Sequence, residues 1–366
     1  GIDGGVRVSP ETKHVENIKS YDEFVEAYRT QMNYFIALLV NADNAIDKAH
    51  AERCPLPFLS SMVEDCIARG KTPEQGGAVY NFTGPQGFGI ANVADSLYTV
   101  KKLVFEDKKY TLAELRNALR ENYGKADGDS RVLDAITKEL NRSGIHRSES
   151  EICAVYEKVA GELGGKYAEM RREIMKLPKY GNDVEEVDTV AREAAYMYTK
   201  PLETYRNPRG GIFQAGLYPV SANVPLGAQT GATPDGRYAH TPVADGVSPS
   251  AGFDTHGPTS SANSVSRLDH GIASNGTLFN MKFHPSALEG MSGLESFVAL
   301  VRAYFDQKGS HMQFNVVSRE TLLDAQKNPD KYRSLVVRVA GYSALFTTLS
   351  KSLQDDIINR TEQRNF

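Results

Sequence analysis

A single glycine lies between two apolar runs near the end of the chain, in Arg338-Val339-Ala340-Gly341-Tyr342-Ser343-Ala344-Leu345-Phe346. The run ahead of it, Leu335-Val336-Val337, reads as a buried strand. Three uses for such a glycine compete. It can supply a positive φ in a turn, or let backbone approach backbone. It can also be the reacting group. Its Cα–H stands between an electron-donating amide nitrogen and an electron-withdrawing carbonyl. Losing that hydrogen leaves a radical that both groups delocalise, and no side chain opposes planarity. Residue type and position leave all three open, the turn being a common fate of glycine. A stored radical needs a shielded backbone, and Tyr342, Leu345 and Phe346 are the neighbours expected to exclude water and oxygen.

Other chemistries lack their residues. There is no H-E-x-x-H, C-x-x-C or EF-hand loop, so no dedicated metal site is expected. The G-x-S-x-G elbow is missing, because Ser343 is not followed by a second glycine. His240, His256, His270, His284 and His311 are scattered and read as surface or hydrogen-bonded structural residues. Asp127-Gly128-Asp129 reads as a charged turn. Asp355 and Asp356 face different sides of a helix and read as a solvated face or cap. The glycine-rich stretch from Gly76 to Gly89 leads into a helix, where anions can bind. Its order matches neither a phosphate loop nor G-x-G-x-x-G, so tight loop packing is the expected role.

The elements that would position these residues show in the periodicities. Ser20 with Glu23 forms a capping box for a helix running to about His50. Pro55 and Pro57 interrupt it, and a helical pattern resumes from Phe58 to Ala68, with Gly70 as C-cap. Helices are expected over Ile90 to Phe105, from Thr111 to about Asn122, and from an Asn182 cap with Glu185 to about Tyr198. Short helical patterns at Val132 to Leu140, Ile152 to Leu163 and Tyr167 to Met175 read as a peripheral insertion. After Pro201 the texture becomes β-like. Gly211 to Val224 reads as a strand bent at Pro219, and Ala232 to Arg237 as a turn. Residues 238–262 read as an irregular loop, a length usually reserved for function. Ser264 to His270 reads as a short helix. Strands at Thr277 to Phe283 and His311 to Val317 then alternate with helices at Leu294 to Phe305, Glu320 to Gln326 and Leu349 to Thr361. That alternation predicts an α/β arrangement with buried strands.

Composition narrows the class. The 366 residues suit two or three domains and an ample core. Net charge is −4 with no basic block, which argues against a nucleic-acid partner. Phe35 to Val40 is too short an apolar run to cross a bilayer, and the first residues lack the regions of a signal peptide. Cys54, Cys66 and Cys153 are sparse and odd in number, as expected for reduced thiols in a cytoplasmic protein. The first residue is not Met and the chain opens in a loop, so it reads as a piece of something longer.

Arg338-Val339-Ala340-Gly341-Tyr342-Ser343-Ala344 and the tail Leu353 to Glu362 resemble the signature of glycyl radical enzymes, the pyruvate formate-lyase-like superfamily. The likeness extends through Tyr80-Asn81-Phe82-Thr83-Gly84 and Ala91 to Leu97. Tyr218-Pro219-Val220-Ser221-Ala222-Asn223-Val224 and Ala244 to Ser250 look most like the glycerol and propane-1,2-diol dehydratases that work without cobalamin. The resemblance implies the C-terminal part of a ten-stranded α/β barrel ringed by helices, with a glycyl radical loop inside it. Residues 1–232 would belong to the barrel domain, with the insertion at about 125–175, and 233–366 to the glycyl radical domain. No bound cofactor is implied. An activating enzyme with S-adenosylmethionine and an iron–sulfur cluster would install the radical on Gly341. A cysteine thiyl would then take hydrogen from a small-molecule substrate, and expulsion of water would give an aldehyde. Tyr218 would line the substrate wall and Arg360 would support the radical loop or its activation. The complete enzyme would be a homodimer.

The family's Gly-Cys-Val-Glu type loop is absent from this sequence, and none of its three cysteines matches it. The chain alone is therefore expected to store a radical and not to turn over a diol. Two other outcomes stay open. One is a different C–C or C–N lyase activity within the family, as in formate acetyltransferase or choline trimethylamine-lyase, or a hydroxyproline dehydratase. The other is a non-catalytic radical-carrying spare part. A cut through a barrel would leave apolar strand edges, so aggregation of the isolated piece is expected.

Overall fold

The computed structural model describes residues 2–3, 6–125 and 165–366. The patterns at Val132 to Leu140 and Ile152 to Leu163, the Asp127–Asp129 turn and Cys153 lie outside the described residues. Of the expected insertion, a helix over 165–176 is described.

Helices dominate the described residues up to Leu202. The helix Tyr21–Arg53 starts at Ser20, whose Oγ accepts from Glu23 N at 3.2 Å. The reciprocal arm of the capping box goes instead to Lys19 N, at 2.9 Å. Ile36 and Val40 of this helix bury against Leu202, Phe213 and Ala215. The helix Ile90–Thr99 leaves Gly89, which takes φ +78°, and packs along Glu185–Leu202. It continues as a π-helical stretch, Val100–Glu106. Thr111 and Glu114 cap Leu112–Arg120 reciprocally. The pattern from Phe58 to Ala68 breaks into two single turns, Pro57–Ser60 and Cys66–Arg69, with Gly70 at φ +62° as the C-cap.

Asn182 does not cap the following helix, which has Val184 at its N-cap. Its amide instead clamps a distant loop, donating to Phe253 O at 2.7 Å and accepting from Thr255 N and His256 N at 2.8 and 3.0 Å. The short helix expected at Ser264 to His270 lies earlier, at Pro258–Ser266, because Pro258 presets the first turn.

The strands form a broken parallel array. Asn280–Phe283 is the centre of a sheet with Gln313–Val316 on one side and Glu362–Gln363 on the other, all parallel. Phe366, just beyond, stacks on Phe283 with ring centroids 5.3 Å apart. Pairing extends outward through single bridges: Leu217 to Thr277, then Thr83 to Phe213 and Gln86 to Gly216. The stretch expected as one bent strand from Gly211 to Val224 is thus a bridged segment followed by a helix, Asn223–Ala228. The glycine-rich stretch packs as tightly as its composition demands. A Cβ on Gly87 would lie 2.6 Å from the Tyr198 ring, and one on Gly211 would lie 1.9 Å from Asn81 O.

The largest core joins both halves of the chain, from Ile90, Ala94 and Tyr180 to Phe279, Phe283 and Tyr304. A separate core under the C-terminal end gathers Leu322, Val337, Val339, Phe346 and Ile357. Among the described residues no helix is long and apolar enough to cross a membrane.

Candidate active site

Gly341 occupies the tip of an antiparallel hairpin, Val336–Arg338 with Ser343–Leu345, in register Arg338 to Ser343. Val339 N donates to Tyr342 O at 2.9 Å and closes the tip. Gly341 takes φ +82°, the left-handed region that favours glycine. The turn role is therefore real, and it does not compete with the chemical one. The expected burial is only half met. Val337, Val339 and Ala340 are buried and anchor the hairpin, whereas Gly341 and Val336 are exposed, Val336 by 58%. Of the three expected shields Phe346 is buried, Tyr342 half-buried and Leu345 exposed. The two-stranded ribbon has one face on the core and the other uncovered, so alternate side chains point outward.

Polar side chains from two strands, a loop and the end of the C-terminal helix converge behind the tip. Gly341 N donates to Gln313 Oε1 at 3.1 Å, and Arg338 Nη2 donates to the same oxygen at 3.0 Å. Gln313 Nε2 donates to Asn280 Oδ1, and Asn280 Nδ2 donates to Asp245 Oδ2. Asp245 also pairs with Arg360 Nη2 at 3.2 Å, and Arg360 pairs with Asp356 at 3.3 Å. Asn315 locks the first hairpin strand. It accepts from Arg338 N and donates to Arg338 O, both at 2.8 Å.

Arg360 lies beside the hairpin, donating to the carbonyl of Arg338 at 3.4 Å. Asp356 is not on a solvated face. It is half-buried with its side chain only 11% exposed, desolvation pushes its carboxyl up against the pull of Arg360, and it accepts from Asn223 Nδ2 at 3.3 Å. Its neighbour Asp355 does face out, toward Lys351 at 3.0 Å. Lys282 is fully buried. Burial brings its ammonium down to about 8, and it donates to Ile358 O at 2.8 Å.

Tyr218 is half-buried, its hydroxyl accepting from Asn275 Nδ2 at 2.9 Å. It follows Leu217, whose carbonyl accepts from Leu278 N at 3.1 Å. Leu278 in turn supports the tip: a Cβ on Gly341 would lie 3.5 Å from its Cδ1. Leu278 therefore touches both the neighbour of Tyr218 and the Gly341 tip. A cavity of about 440 Å³ opens behind the hairpin, lined by Asp245, Asp254, Asn280, Lys282, Asp356 and Arg360 among others. Neither Gly341 nor Tyr218 lines it.

Gln313, Asn280, Asp245 and Asn315 were not singled out from sequence. The available signal was Gln313-Phe314-Asn315 in a predicted strand, where alternation places two amides on one face. Both are buried. His284, Glu320 and Glu362 also lie together, with donor atoms within 4.8 Å. Arg364 bridges the two carboxylates at 3.3 and 2.7 Å, which makes the group an ion-pair network.

Two family models match this architecture. "Pyruvate formate lyase-like" covers residues 2–227, more than half of the chain, and "Glycine radical" covers 243–347, which includes the hairpin. The chain belongs to the pyruvate formate lyase-like family. Within that family it is 41% identical over 353 residues to the probable dehydratase YbiW of Escherichia coli, covering 94% of this chain and 39% of the relative. It is 36% identical over 357 residues to trans-4-hydroxy-L-proline dehydratase of Clostridioides difficile, covering 98% and 40%. A solved structure described under 1,2-propanediol dehydration in Roseburia inulinivorans superposes with a TM-score of 0.87 at 64% identity, over 99% of this chain and 42% of that one. The glycerol-bound B12-independent glycerol dehydratase from Clostridium butyricum superposes with a TM-score of 0.86 at 50% identity, over 100% and 41%. The chain spans about two fifths of the length of these family members.

Proposed function

We propose that this chain is the radical-bearing portion of a glycyl radical dehydratase acting on a small diol such as propane-1,2-diol or glycerol. The observation that carries the proposal is Gly341. A glycine in Arg-Val-Ala-Gly-Tyr-Ser-Ala stands at a left-handed hairpin tip, with its N–H held by Gln313, inside the stretch matched by the glycine radical model. In this scheme an activating enzyme that uses S-adenosylmethionine and an iron–sulfur cluster removes one hydrogen atom from Gly341. The Cα–H bond breaks homolytically and one electron stays on Cα. The radical then passes to a cysteine in the portion that the relatives possess beyond this chain. The resulting thiyl opens the substrate C–H bond, and water leaves to give an aldehyde. The same missing portion would cover the exposed tip and complete the barrel around it.

Residues 1–232 then serve as part of the barrel and 233–366 as the radical domain. Tyr218 faces the substrate and Arg360 steadies the radical loop. The complete enzyme works as a cytoplasmic homodimer. Identities of 64% and 50% to the two diol-linked structures, against 36% to the hydroxyproline dehydratase, support a diol over other substrates of the family.

Anaerobic activation of the complete polypeptide, followed by electron paramagnetic resonance, tests the radical. A doublet that vanishes in Gly341→Ala is expected. Aldehyde from propane-1,2-diol or glycerol, and none from choline or hydroxyproline, is expected in the same samples. A doublet with no aldehyde from either diol would overturn the substrate assignment.

A further inference from the structure

We infer that Gln313 is a positioning residue for the radical, acting as the built-in acceptor that tunes the amide nitrogen of Gly341; this rests on Gly341 as the radical site. Gln313 occupies the first position of the strand Gln313–Val316 and is only 5% exposed. Its Oε1 accepts from both Gly341 N–H and Arg338 Nη2, which uses both lone pairs of that oxygen.

The orientation of the amide is set from both ends. Asp245, paired with Arg360, can only accept when ionised, so Asn280 must turn its Nδ2 toward it. Asn280 Oδ1 then faces Gln313, which must answer with Nε2. That leaves Oε1, and not Nε2, pointing at the tip. The Arg338 guanidinium is a donor only and demands the same choice. A carboxylate at one end and a guanidinium at the other therefore leave the backbone N–H of Gly341 facing an acceptor.

An N–H bond polarised toward an oxygen leaves more electron density on nitrogen. That nitrogen is the donating half of the pair that delocalises an unpaired electron on Cα. The contact also fixes the amide plane against the tip, which has no side chain of its own to hold it. Mere packing would need neither the two-donor oxygen nor the ordered chain behind it.

The test uses the complete polypeptide, activated anaerobically and exchanged into D₂O. Electron–nuclear double resonance then reads the quadrupole coupling of the Gly341 amide deuteron. The coupling should rise in Gln313→Ala, where the acceptor is lost. It should fall in Gln313→Glu, whose carboxylate accepts more strongly. The anaerobic half-life of the doublet should shorten by about fivefold in Gln313→Ala, the factor carried by one net hydrogen bond. If Gln313→Ala fails to fold, the fall in Gln313→Glu still decides. A wild-type doublet whose deuteron coupling is unmoved in the variants overturns the inference and leaves Gly341 as the radical site. Absence of any doublet in the activated wild type overturns the radical assignment itself.

Discussion

Arg360 donates from Nη1 to the backbone carbonyl of Arg338 at 3.4 Å, which ties the C-terminal helix Lys351–Asn359 to the hairpin three residues ahead of Gly341. The same guanidinium pairs with two carboxylates, the buried Asp245 and the half-buried Asp356. Its side chain is 10% exposed, so these pairs are desolvated and weakly screened.

Removing Arg360 should therefore cost far more than removing a surface charge. Arg360→Ala leaves two largely desolvated carboxylates uncompensated and should destabilise by about 3–5 kcal/mol. Arg360→Lys keeps the charge but cannot span three acceptors with a planar fork, and should lose less. Chemical denaturation of the complete polypeptide measures both. Hydrogen exchange at Val339 should quicken in Arg360→Ala if the helix holds the hairpin.

Gly341→Ala should separate fold from chemistry. Its Cβ meets only Leu278 Cδ1 at 3.5 Å, an ordinary contact, so the cost is the left-handed φ, about 1 kcal/mol. The variant should melt within a few degrees of wild type and give no glycyl doublet. A large loss of stability would mean that the tip is tightly enclosed.

The glycine-rich packing makes a sharper prediction. In Gly211→Ala the new Cβ would stand 1.9 Å from Asn81 O and 2.9 Å from Phe82 N, both backbone atoms that cannot swing aside. The expected destabilisation is about 3 kcal/mol, the upper end for overpacking. Gly231→Ala, with nothing within 4 Å, is the matched control and should be near neutral. The comparison is read from paired denaturation midpoints.

Acid titration should expose Asp254. Burial raises its carboxyl to about 6, although Thr361 and Gln363 both donate to it. A carboxyl raised on folding binds its proton more tightly in the folded chain, so stability falls as pH rises between the unfolded and folded values. The penalty is absent below about pH 4, grows up to pH 6, and is constant above it. Relative to Asp254→Asn, wild type should lose about 3 kcal/mol over that window. A wild-type minus variant difference that stays flat from pH 4 to 6 would contradict this.

The isolated 366-residue chain should self-associate. Phe58, Met62, Ile67 and Tyr80 are 65–85% exposed within one short stretch, and Met291 is 70% exposed at the start of another helix. Such apolar surface is unusual on a stable monomer. Size-exclusion chromatography with a hydrophobic dye should report large, dye-binding species. A dye-silent monomer with a cooperative melt would refute this.

Local rules served the sequence well where a residue acts on its own neighbourhood. Ser20 and Thr111 cap their helices, Gly70 ends one, and Gly341 turns the hairpin. They failed where a polar side chain serves a distant partner. Asn182 stands three residues ahead of Glu185, yet it holds a loop some seventy residues away. Asp356 has helical spacing to Arg360, but its setting also includes Asn223 and the Asp245 that shares Arg360, which only the fold supplies. The local pattern singles out Gly341 but leaves its role open, and only the family resemblance points to Arg360. Gln313 and Asn280 were missed because a buried amide has no signature beyond alternation in a strand.

The last strand of the central sheet is made by Glu362–Gln363, and Phe366 caps it by lying flat on Phe283. Editing this end of the molecule is therefore surgery on the sheet. Deleting the final residues, or fusing a purification handle there, would strip a ribbon edge from the strand that carries Asn280 and loosen the floor beneath the hairpin. Affinity handles and fluorescent fusions are safer at an exposed loop outside the sheet, such as the one around Gly231.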